Sequence, residues 1–173
     1  MEKGGNKMGL FTPKISNWEK EHVANLLKQL KESAKLVNTT VKPDVYFGRL
    51  HFMFDTLLEL QKYEKYKIFK GGLPSRDLQN LQNGLEKSVD DFIMRSYSKR
   101  LEKANSLKTE KAKLANMKKY ADAMIEAFDN APYFWEDNGM YPHYTGPLYT
   151  PKNWEKLTSL LYDYRGNIPT LHQ

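Results

Sequence analysis

Helical periodicity, few helix breakers and the lack of any hairpin signal predict an all-α protein. Four long amphipathic stretches joined by short links predict an antiparallel bundle of four main helices. Gly and Pro are few before residue 130 and dense just after it, so an aromatic-rich irregular segment and a short C-terminal helix should follow the bundle.

The first helix should begin at Ser16. Ser16-Asn17-Trp18-Glu19 has the capping-box form, in which the hydroxyl caps a free N–H and the carboxylate reaches back. Trp18, Val23, Leu26, Leu27, Leu30, Ala34 and Val37 then recur at helical spacing, and Asn38-Thr39-Thr40 should end the helix. Pro43 suits the first turn of a second helix running to about Tyr66. Only Asp44, His51, Asp55, Glu59 and Lys62 form a polar stripe on it, so it should be the central, most buried helix.

Lys70-Gly71-Gly72-Leu73-Pro74 marks a break, and Ser75 is the expected N-cap of a third helix. Its apolar stripe runs from Leu78 to Leu101, with a break near Asn105-Ser106. Thr109 should cap a fourth helix carrying Leu114, Met117, Ala121, Met124, Ile125 and Phe128, ended by Asn130-Ala131-Pro132. Thr150, with Pro151 behind it, should cap a short fifth helix with Trp154, Leu157, Leu160, Leu161 and Tyr164 as its apolar face and a stop at Gly166. Residues 1–15 then form a flexible tail, 16–131 the bundle, and 132–173 the aromatic segment and last helix packed on it.

Several function classes are excluded by composition. The 173 residues contain no cysteine, so disulfides, thiolate nucleophiles and cysteine-held metal sites are ruled out. No apolar run approaches the roughly 20 residues a membrane span needs, and the N-terminus has no h-region of a secretory signal. A cytoplasmic protein without membrane insertion is expected. Lys3-Gly4-Gly5-Asn6-Lys7-Met8 back-translates to a run containing AAAGGAGG a few bases before ATG, a bacterial ribosome-binding sequence. Met8 is therefore a candidate start in a bacterial gene, against the simpler reading of a Lys/Gly tail.

The net charge of +6 is unevenly placed. Residues 95–119 hold nine basic and two acidic residues, a net +7, which leaves −1 for the rest of the chain. Arg95, Lys99 and Lys103 form an i, i+4, i+8 row on the third helix. Lys108, Lys111, Lys118 and Lys119 fall on one arc of the fourth. Such a stripe can follow nucleic-acid phosphates, because neutralised phosphates release counterions. The competing reading is a solvated helix face. No aromatic residue falls within the lysine arc to stack a base, and no nucleic-acid motif is present.

His51, Asp55 and Glu59 share one polar stripe and are the only candidate metal ligands, against a surface His bonded to Asp55 one turn on. Glu19-x-x-His22 has the spacing of carboxylate di-iron bundles but stands alone, where such a site needs two pairs. Lys70-Gly71-Gly72 is a turn and not a phosphate loop. No acid/base or nucleophile constellation is visible, and no cofactor is expected. Tyr133, Phe134, Trp135, Tyr141, Tyr144 and Tyr149 are candidate anchors for a protein partner, against a latch that packs back on the bundle. The leading expectation is a non-enzymatic interaction or scaffold module. The alternatives are a nucleic-acid-associated protein using the basic stripe and an enzyme whose pocket assembles across helices.

Overall fold

A computed structural model describes residues 13–130 and 152–166. The tail before residue 13, the aromatic segment at 132–149 with its candidate anchors, and Thr150 and Pro151 lie outside the described residues. Every regular element among those described is helical: α1 (Asn17–Val37), α2 (Pro43–Gln61), α3 (Pro74–Asn105), α4 (Glu110–Asp129) and α5 (Lys152–Arg165), with one 3-10 turn at Glu64–Tyr66.

Local chemistry sets the helix ends. At α1 the capping box forms fully: Ser16 Oγ accepts from Glu19 N at 3.2 Å, and Glu19 Oε2 accepts from Ser16 N at 2.7 Å. Thr109 caps α4 by accepting from Ala112 N at 3.2 Å. Gly166 follows α5 at φ 79°, the left-handed stop that glycine adopts without strain.

Two ends differ from the sequence reading. The second helix stops at Gln61 and not near Tyr66; the chain tightens into the 3-10 turn, and Lys67 leaves it at φ 54°. The third helix is capped at Leu73, with Pro74 at its first position, so Ser75 lies inside it. Its free N–H is met from elsewhere: Ser75 N donates to Glu64 Oε1 at 2.6 Å. A carboxylate at that end also suits the helix dipole.

The core forms where α2, α3 and α4 meet, with α1 laid on α2 and α5 on α4 and α3. Tyr46 stacks on Phe92 with centroids 3.8 Å apart, and Phe47 meets Phe92 and Phe128 edge-on. Each such pair adds about 0.5–1.5 kcal/mol beyond the area buried. Hydroxyl bonds fix the register: Tyr46 Oη with Ser88 Oγ at 2.8 Å, and Tyr120 Oη to Ser96 Oγ at 3.1 Å. Together with the Glu64–Ser75 bond they set α2 and α3 running in opposite directions; Tyr120–Ser96 and Arg100–Asn116 do the same for α3 and α4.

The α2 core stripe is buried as periodicity implies, but α1 is peripheral. Only Val23 and Val37 of its apolar set are buried, whereas Trp18 is 68% exposed and Leu27 and Leu36 are exposed. Leu114 is likewise exposed at the start of α4. Periodicity finds the apolar stripe of a helix; it does not say how many neighbours cover it.

Candidate functional site

The cations of the 95–119 stretch separate into two kinds once the helices are placed. Arg95 is half-buried and turned inward. Its guanidinium donates to Thr40 O at 3.2 and 3.3 Å and to Val37 O at 3.3 Å, carbonyls at and just beyond the end of α1. Arg49 joins it, donating to Leu36 O at 3.3 Å and to the Thr40 hydroxyl. Leu36 O is already met by the amides of Thr39 and Thr40, whereas Val37 and Thr40 lie at and beyond the last turn, and a cation at a helix C-terminus is favoured by the dipole. Arg95 therefore acts as a brace between α3 and the α1–α2 turn. Arg100 is also engaged, donating to Asn116 Oδ1 at 3.3 Å and lying over the Tyr120 ring.

The lysines behave differently. Lys99 pairs with Glu102 at 3.3 Å and Lys113 with Glu110 at 2.6 Å, surface contacts worth little. Lys103, Lys108, Lys111, Lys118 and Lys119 are exposed, and none has an ion-pair partner among the described residues. On α4 itself Lys111, Lys118 and Lys119 span about 12 Å at the helical rise, enough to meet neighbouring phosphates of one strand, with Lys108 in the turn just before the Thr109 cap. The arc ends where acids begin: Asp122 pairs with Arg165 at 3.1 Å, and Glu126 is exposed beyond it.

The position of these lysines costs stability. Lys108, Lys111 and Lys113 cluster at the α4 N-terminus, where the dipole favours anions and only Glu110 supplies one. Each unfavourable cation costs a few tenths of a kcal/mol, to about 1 kcal/mol at most. Packing does not call for them there.

Beside this face runs an open groove of about 480 Å³ between α4 and α5, lined by Leu114, Ala115, Lys118, Leu160, Asp163 and Tyr164. Lys118 belongs to both the groove and the lysine arc. Tyr97 and Tyr164 both pack partly buried against the core, and burial first, then Tyr164, pushes the Tyr97 phenol upward. The aromatic ring missing from the arc in the sequence thus stands next to it in space, supplied by a helix some 45 residues further on. Tyr164 was legible only as part of the apolar face of the last helix.

The other candidates do not converge. His51 Nε2 lies 3.3 Å from Asp55 Oδ2, the simple surface pair. Glu59 turns the other way, to Lys62 at 2.5 Å and His22 at 3.8 Å. Among the described residues no group of three or more His, Asp or Glu is placed to hold a metal. His22 stacks on Trp18 with centroids 5.2 Å apart, and Glu19 serves the α1 cap and accepts from Tyr66 Oη at 3.0 Å. The bonds from Ser16 and then Tyr66 hold the Glu19 carboxyl below its usual range. A second open groove, about 570 Å³, carries Asp44 and Glu126 but, among the described residues, no nucleophile and no histidine. No helix among the described residues is long and apolar enough to cross a membrane.

Comparison with known proteins finds no match: no family model, curated protein or solved structure is similar to this chain.

Proposed function

We propose that this chain is a non-enzymatic binding module, built as an antiparallel helical bundle, that holds a nucleic-acid backbone on the outer face of α4 and the end of α3. The observation that carries the reading is the set of lysines at the α4 N-terminus, Lys108 and Lys111 above all. They oppose the helix dipole, have no acidic partner among the described residues, and face solvent beside Lys118 and Lys119. Solubility alone would be served equally by lysines at the other end of the helix.

The test is fluorescence anisotropy with mixed-sequence DNA and RNA at low and near-physiological salt. Binding should weaken steeply with salt, because each neutralised phosphate releases a counterion. The double substitution Lys111→Glu, Lys118→Glu should abolish it. No binding at low salt, or binding unchanged in that variant, overturns the assignment.

A second reading, a protein-docking module, is supported by Trp18. It projects 68% exposed from the peripheral α1, and Trp is favoured in interface hot spots. A stoichiometric partner that co-elutes from the native host and is lost in Trp18→Ala would favour it; co-elution unaffected by the change would remove Trp18 from the account.

A further inference from the structure

We infer that the groove between α4 and α5 receives an unstacked base, so that the nucleic acid taken by the lysine face is single-stranded. This rests on the phosphate-binding reading above and adds the class of ligand.

Geometry and chemistry both support a base as occupant. The groove, about 480 Å³, has room for a flat heteroaromatic ring, and Leu114, Leu160 and Tyr164 give it apolar walls. Leu114 is 58% exposed, an aliphatic side chain at the edge of the lysine face that the described residues leave uncovered. Tyr164 is partly buried against the core, so its ring is positioned before any ligand arrives.

Charge places the two parts of a nucleotide separately. Lys118 stands at the junction of groove and arc, where it meets a phosphate next to a base in the groove. Asp163, also in the lining, repels a phosphate and accepts hydrogen bonds, so the groove itself favours a base edge over the backbone. In a duplex the base faces are covered by their neighbours and cannot enter. A single strand offers them freely, and stacking on an aromatic ring is commonly worth tenfold or more in affinity per base.

The experiment compares one labelled mixed-sequence strand with the same strand annealed to its complement, at one salt concentration, on the full chain. The single strand should bind about tenfold tighter. Tyr164→Ala and, separately, Leu114→Ser should erase that preference while leaving duplex binding unchanged; Tyr164→Phe should keep it. Leu114 is exposed, so its substitution tests the groove even if Tyr164→Ala unfolds the chain. Equal binding of strand and duplex, or tighter duplex binding, overturns the inference and leaves the phosphate face standing. Equal losses for both ligands in Leu114→Ser also overturn it. No binding of either ligand removes the phosphate reading and the inference with it.

Discussion

Two groups of cations lie at two helix ends, and they follow opposite rules. At the end of α1, Arg49 and Arg95 sit at the favourable pole of the helix and are bonded to carbonyls of Leu36, Val37 and Thr40. At the start of α4, Lys108 and Lys111 sit at the unfavourable pole and bond to no acid among the described residues. The first group is explained by folding. The second is not, and a charge that folding does not explain is the better pointer to a ligand. Arginine suits the first role because its planar fork bridges several acceptors; lysine, a solvated point charge, suits the second.

The sharpest break in the comparison is Arg95→Ala. It strips partners from Val37 O and Thr40 O, and hydrogen bonds from a charged donor contribute about 1.5–3 kcal/mol. Denaturant unfolding should show a loss of about 2–3 kcal/mol, with affinity for nucleic acid unchanged. A folded, stable Arg95→Ala protein that fails to bind would return Arg95 to the ligand face.

Alkaline titration probes the same inner region. Burial pushes the Tyr46 phenol up to about 12 from an ordinary value of 10.0, and burial likewise raises Tyr120. A folded value above the unfolded one means the stabilising contribution is complete below pH 10 and is lost as pH climbs toward 12. Tyrosinate absorbance should therefore show these two phenols ionising only as helical circular dichroism is lost. Full ionisation with helicity intact would contradict their burial.

Smaller effects sharpen the α4 side. Thr109→Ala removes the cap bond to Ala112 N and should cost about 1 kcal/mol by the same unfolding measurement. Lys111→Glu should have the opposite sign, leaving stability unchanged or raising it by a few tenths of a kcal/mol, since it swaps a cation for an anion near the positive pole. Marked destabilisation in Lys111→Glu would show that the lysine has a structural role after all.

Much of the fold was legible because its signals are local. The Ser16–Glu19 box, the Thr109 cap, the Pro43 start and the Gly166 stop all lie within a few residues of what they fix. What was not legible depends on partners far along the chain. Arg95 reads as one member of an i, i+4, i+8 surface row, but its acceptors lie 55 and 58 residues away. Ser75 looks like a cap until Glu64 is seen to satisfy it. Trp18 and Leu114 sit on apolar stripes, yet too few helices surround α1 and the start of α4 to bury them. For the candidate face, the sequence supplies the lysines and structure supplies Tyr164.

The turn that joins α1 to α2 is held from outside itself. Ser96 Oγ donates to Val41 O at 2.6 Å and accepts from Tyr120 Oη, while Arg95 grips Thr40 O. Turns of this length are ordinarily where a protein breathes first, and their amides trade hydrogen with solvent in the earliest openings. Here the amides of Thr39 and Thr40, bonded back to Leu36 O, sit in a turn anchored by two residues of α3 and, through one of them, by α4. Letting go of that turn requires the middle of the molecule to come apart. In deuterium exchange these two amides should be released with the slow, cooperative opening of the central helices, while the Trp18-bearing end of α1, which packs only on the end of α2 and the turn after it, frays on its own faster clock.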